Sequence, residues 1–186
     1  MRWTILVILA LSTPASAGGY LFESIGGASY SGDLSRFGSG APRLLVGIGV
    51  SRGPWAVEGF GGGFAPDLFY IDCYGEECAT AATPSLELMQ FGIDLRRSWR
   101  VLHSTYTKKI GLDFVLHGGP RFFMADLALP GYQGLGIGGG AAIDANFKVV
   151  SMFIDFTTDF IELHGEGRTF FGRLPGVQIG MRFGWM

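Results

Sequence analysis

In the segment Pro175–Met186, PGVQIGMRFGWM, side-chain polarity changes residue by residue. Successive side chains of an extended chain point to opposite faces. Val177, Ile179, Met181, Phe183 and Trp185 therefore share one face, and Gln178, Gly180, Arg182 and Gly184 share the other. The first face is wholly apolar with an aromatic end; the second is polar or has no side chain. A strand that shows hydrocarbon to lipid and a polar face to an enclosed lumen needs this division.

The same period of two recurs upstream, with turn-rich segments between the runs. It predicts eight strands, over 20–30, 42–52, 54–65, 84–97, 108–120, 134–146, 148–159 and 175–185. In the second, Leu44, Val46, Ile48 and Val50 oppose Gly47, Gly49 and Ser51; in the seventh, Val150, Met152, Ile154 and Phe156 oppose Ser151, Asp155 and Thr157. The first and third runs are less regular. Connections alternate in length. Arg52-Gly53-Pro54 and Asn146-Phe147-Lys148 read as tight turns, whereas Ser31–Ala41, Pro66–Thr83, Asp126–Gln133 and Ile161–Leu174 read as longer loops. Ser98–Thr107 breaks this rhythm unless the fourth and fifth strands extend into it. The fold expected is all-β: a single eight-stranded antiparallel up-and-down transmembrane β-barrel, its tight turns on the periplasmic side.

Composition agrees with that fold. The chain is 48% hydrophobic and only 16% charged, and it carries 31 glycines. A water-facing surface normally has roughly 25–35% charged residues. The formal net charge of −2 argues against a nucleic-acid partner. At the start, Arg2, the apolar run Ile5–Leu11 and the small residues Ala15-Ser16-Ala17 are expected to form a cleaved signal peptide, residues 1–17, ahead of a barrel domain over 18–186. The apolar run is far shorter than the ~20 residues of a spanning helix. In an exported chain, Cys73 and Cys78 are expected to close a small loop as a disulfide.

A soluble barrel of the lipocalin type also alternates apolar and polar faces. The face opposite the aliphatics decides against it. Gly136, Gly138 and Gly140 in the sixth strand make a poor hydrated exterior but suit a crowded lumen. Aromatic residues near the strand ends suggest two interfacial girdles: Tyr20, Phe22, Trp55, Phe147 and Trp185 at one end, and Tyr30, Phe64, Phe122, Phe123 and Phe160 at the other.

The inward set of such a barrel would include Glu58, Asp94, Arg96, Asp113, His117, Arg121, Asp144, Asp155 and Arg182. Buried charges are tolerated when paired or hydrated, so a paired network plugging the lumen is expected. Glycines on the same face leave room for water, which keeps a narrow channel for ions or small solutes as the alternative. Gly134-Leu-Gly136-Ile-Gly-Gly139 matches a dinucleotide fingerprint, but it lies inside a strand with no following helix, so no cofactor is expected. A metal site at the cysteines would need ligands that the neighbouring sequence lacks. The polar loops, above all Pro66–Thr83 with Phe69, Tyr70 and Tyr74, are candidates for surface binding.

The terminal strand and the whole strand pattern resemble the small OmpA/OmpX-like bacterial outer-membrane β-barrels. Met186 after Trp185 departs from the usual aromatic ending. The resemblance implies an integral, usually monomeric outer-membrane protein of a Gram-negative bacterium. It also implies contact with outer-membrane lipid and reading of the Val177–Trp185 strand by the barrel assembly machinery. Barrels of this kind include lipid A deacylases, which carry a His and a Ser two residues apart on one strand. Here His117 is followed at that spacing by Gly119 and His103 by Thr105. A non-enzymatic barrel is expected, with a lipid A-modifying enzyme as a further alternative.

Overall fold

The computed structural model describes residues 17–64, 86–103, 110–127, 129–147 and 149–185. Its strands are β1 (Ala17–Ser29), β2 (Ser31–Gly32), β3 (Gly40–Arg52), β4 (Trp55–Phe64), β5 (Leu86–His103), β6 (Ile110–Leu127), β7 (Gln133–Phe147), β8 (Val150–Gly165) and β9 (Arg168–Trp185), with a 3-10 helix at Asp33–Phe37. Long strands pair antiparallel in chain order, and β1 also pairs with β9, so the sheet closes. Because β2 adds only two residues against β9, the wall is an eight-stranded up-and-down barrel. Pairing partners followed from Glu23 through Val46, Gly61, Phe91, Phe122, Leu135 and Glu162 end on Phe171, ten residues from Met181, the true β9 partner of Glu23. A stagger of that kind goes with strands tilted about 35–45° to the barrel axis.

Alternation decides what each face shows. Leu44, Val46, Ile48 and Val50 of β3, Phe91, Ile93 and Leu95 of β5, and Val177, Ile179 and Phe183 of β9 all point outward and are exposed. Ile48 is 61% exposed and Leu135 70%, so aliphatic residues that would fill a soluble core here coat the exterior. A contiguous apolar girdle of this extent is a surface for hydrocarbon.

The strands run further than the sequence pattern suggests. β5, β6 and β9 have 18 residues each, against the ~9–11 that cross a bilayer. The expected loop Ile161–Leu174 is instead a continued hairpin, in which β8 reaches Gly165 and β9 starts at Arg168. Its turn is Glu166-Gly167, both with positive φ (46° and 72°), the combination that matches strand twist in a two-residue hairpin. Ser98–Thr107 is likewise partly strand, since β5 extends to His103. At the end of the barrel opposite the tight turns, polarity inverts: Ile161, Leu163 and Leu174 point inward while Glu162, His164 and Arg173 lie outside.

The aromatic girdles need a similar correction. Tyr20, Phe22, Tyr30, Phe64 and Phe123 are buried inside the barrel. Trp55 and Phe147 stand outside at the tight-turn end, joined by Trp99, and Phe160 and Phe171 at the far end. Trp185 lies in β9 opposite Gly19. Cys73, Cys78 and the loop around them lie outside the described residues.

Candidate functional site

The inward positions build three layers. Nearest the tight turns, Glu58 of β4 accepts hydrogen bonds from Tyr20 (2.8 Å), Arg96 (2.5 Å) and Arg182 (3.2 Å). Both arginines also donate to Asp144, at 2.9 and 3.0 Å. Five side chains from β1, β4, β5, β7 and β9 are thereby tied across the lumen. Arg182 lies over the Phe153 ring at 3.8 Å, which covers the guanidinium with an apolar face.

The second layer is wired through Asp94 and Asp159. Arg121 donates to Asp94 (2.6 Å) and Asp159 (3.0 Å), and Arg43 reaches Asp159 (3.0 Å) and Gln90 (2.5 Å). His117 sits between Asp94, 2.7 Å from Nδ1, and Asp155, 3.0 Å from Nε2. A protonated ring gives each carboxylate a donor; a neutral one leaves one of them facing a lone pair. With that proton, Arg43, Arg96, Arg121, Arg182 and His117 balance Glu58, Asp94, Asp144, Asp155 and Asp159 charge for charge.

The third layer is apolar. Tyr30, Leu34, Phe64, Leu86, Leu88, Phe123, Leu129, Tyr132, Leu163 and Leu174 form a buried cluster inside the far end. The first long connection folds over it. Leu34 of the 3-10 helix is fully buried, Ser31 bonds to the Arg173 carbonyl (2.8 Å), and Phe171 N–H donates to Asp33 (3.1 Å). The barrel is thus capped by a small hydrophobic core of ordinary soluble type.

Inward glycines turn out to seat aromatic rings. Phe22 lies opposite Gly47, Tyr20 opposite Gly49, and Phe60 opposite Gly92. A Cβ on Gly47 would come within 2.5 Å of the Phe22 ring, and one on Gly138 within 1.7 Å of an Asp159 carboxylate oxygen. The space is therefore already filled. A cavity of about 30 Å³ lies within the charged layers, room for about one water molecule. A larger vestibule of about 280 Å³ opens at the tight-turn end. Asp144 Oδ1 and Arg96 Nε, which have no partner among the described residues, belong to side chains lining that vestibule.

Of the residues expected in the lumen, Glu58, Asp94, Arg96, His117, Arg121, Asp144, Asp155 and Arg182 fall in the two charged layers. Asp113 stands apart in the vestibule, paired with Arg100 and Asn146. The sequence reading missed Arg43, Asp159, Gln90 and Tyr20. Arg43 shares parity with Gly47 and Gly49, and Asp159 with Asp155, so strict alternation points both inward. His164, bonded to Thr169 near the far hairpin turn, is exposed.

No protein-family model matches the chain, and no curated protein matches it in sequence. Its fold has a clear counterpart among solved structures. Neisserial surface protein A aligns over 91% of this chain and 99% of its own, with a TM-score of 0.57 and 11% identity. The N-terminal β-barrel domain of Pseudomonas aeruginosa OprF aligns over 89% and 97%, with a TM-score of 0.43 and 12% identity. At 11% identity the likeness to Neisserial surface protein A speaks for architecture alone. Closed eight-stranded topology, an apolar exterior and a polar interior give this chain the fold of the small OmpA/OmpX-like transmembrane barrels.

Proposed function

We propose that the protein is an integral barrel of a bacterial outer membrane, acting without catalysis and without a continuous pore. Its role is envelope-structural, or surface interaction through the connections at the far end. The observation that carries this reading is double closure of the lumen. A charge-balanced layer contains a cavity of about 30 Å³, and an apolar core stands beyond it. An ion would have to break buried pairs and then enter hydrocarbon-like packing, and either step alone is costly. In this reading the leader 1–17 is removed, Cys73 and Cys78 form a disulfide, and the β9 strand is what the assembly machinery reads. His117 has both ring nitrogens engaged by carboxylates, which supports a structural role rather than that of a catalytic base. Planar-bilayer recording on pure, folded protein tests the proposal. A flat baseline is expected; steady unitary conductance would establish the channel alternative instead.

A further inference from the structure

At the tight-turn end, three outward side chains lie side by side across three strands. Arg52 of β3 is register partner of Trp55 of β4, and Trp55 of Arg97 of β5. The next outward row is wholly aliphatic: Val50, Val57 and Leu95. Within two residues the exterior passes from hydrocarbon-compatible to cationic, which places the lower row at the level of lipid headgroups.

Arg97 is held there in a defined pose. Its guanidinium carbon lies 5.0 Å from the Trp55 ring centre and 4.9 Å from that of Trp99. Two indoles grip the cation through their faces while the N–H donors around the guanidinium edge remain to be satisfied. No hydrogen-bond acceptor or acidic partner meets Arg97 or Arg52 among the described residues; Arg100, by contrast, is paired with Asp113. The scaffold is fixed, because Ser98 N–H donates to the Pro54 carbonyl (2.8 Å) and ties the β3–β4 turn to β5. A planar guanidinium with free donors is matched by an oxyanion that accepts two of them at once.

We infer that Arg97 and Arg52, framed by Trp55 and Trp99, form a binding site for the headgroup phosphate of an anionic glycerophospholipid, with its acyl chains lying along the Val50–Val57–Leu95 row. Phosphate is the acceptor that a bilayer presents at this depth. Two arginines that meet no acidic partner among the described residues favour a net-anionic lipid over a zwitterionic one. The inference goes beyond the role proposed above and needs only that the barrel spans a bilayer.

The test uses the tryptophans as built-in probes. The protein is reconstituted in phosphatidylcholine vesicles, and quenching is compared for brominated phosphatidylglycerol and brominated phosphatidylcholine. Phosphatidylglycerol should bind roughly threefold more tightly, the scale of an exposed charge-assisted contact. R52Q/R97Q should bring the ratio close to one while keeping the boiled-versus-unboiled gel shift of a folded barrel. R97K, which retains the charge but not the fork, should fall between them. Equal binding of the two lipids by the native protein, or a preference that survives R52Q/R97Q, would overturn the site. Displacement of phosphatidylglycerol by inorganic phosphate at concentrations no higher than the lipid's own, beyond the effect of chloride at equal ionic strength, would assign the site to the free anion and also overturn it. Conductance is silent on all these outcomes, so this result and the closed-lumen result stand independently.

Discussion

Glu23 is the residue least at ease in this fold. It lies in β1 between Leu21 and Ile25, with Val46 beside it on β3 and Met181 on β9. Parity turns it outward, and it is exposed in the middle of the apolar band, without a partner among the described residues. An acidic side chain on the lipid face costs up to about 2 kcal/mol at the bilayer midplane. Glu23→Leu should therefore stabilise the barrel by about 1–2 kcal/mol in phosphatidylcholine vesicles, read as a later midpoint in urea unfolding followed by tryptophan fluorescence. In detergent, where the carboxylate can recruit water, the gain should shrink. In the sequence the first run reads as irregular, and this acid between Leu21 and Ile25 is one reason. What parity left unread was the use of the inward glycines, because Gly47, Gly49 and Gly92 look like empty space until the rings of Phe22, Tyr20 and Phe60 are placed on them.

The strands were readable where they cross the apolar band and misread where they leave it. Inside the band the rule is apolar out and polar in, as with Ile154 and Phe156 against Asp155 and Thr157. Beyond it β8 keeps its period but reverses its sign, burying Ile161 and Leu163 and exposing His164. A reading that looks for one polarity ends the strand at the reversal, near residue 159, although pairing continues to Gly165. The reversal marks the step from lipid to water, beyond which the barrel needs an ordinary core. Leu163 is fully buried in that core. Leu163→Ala should cost about 2–5 kcal/mol through the cavity it leaves, lowering the temperature at which the folded gel band is lost. The β-barrel should still insert, because the spanning parts of β8 and β9 are untouched.

Across the whole molecule, the charged layers act as ties between distant parts of the chain. Arg182 of β9 reaches Glu58 of β4, 124 residues away, and Arg43 of β3 reaches Asp159 of β8. Glu58→Gln would leave Arg96 and Arg182 each short of a negative partner in a closed interior, at a cost of about 3 kcal/mol. Tryptophan fluorescence and far-ultraviolet circular dichroism should lose signal together in that variant, at lower urea. Separate transitions for the two probes would mean that the layers are energetically independent of the wall.

These ties also bear on how such a barrel is born. The pairs Arg96–Asp144, His117–Asp155 and Arg121–Asp159 all join strands that are not neighbours in the wall. Glu58–Arg96 and Asp94–Arg121 form within single hairpins, but these longer ties do not, so a partly built sheet meets the bilayer with part of its interior charge uncompensated. An open sheet leaves Asp144, Asp155 and Asp159 without the arginines and histidine that reach them across the lumen, so joining of the first and last strands and entry into lipid are expected to be one event.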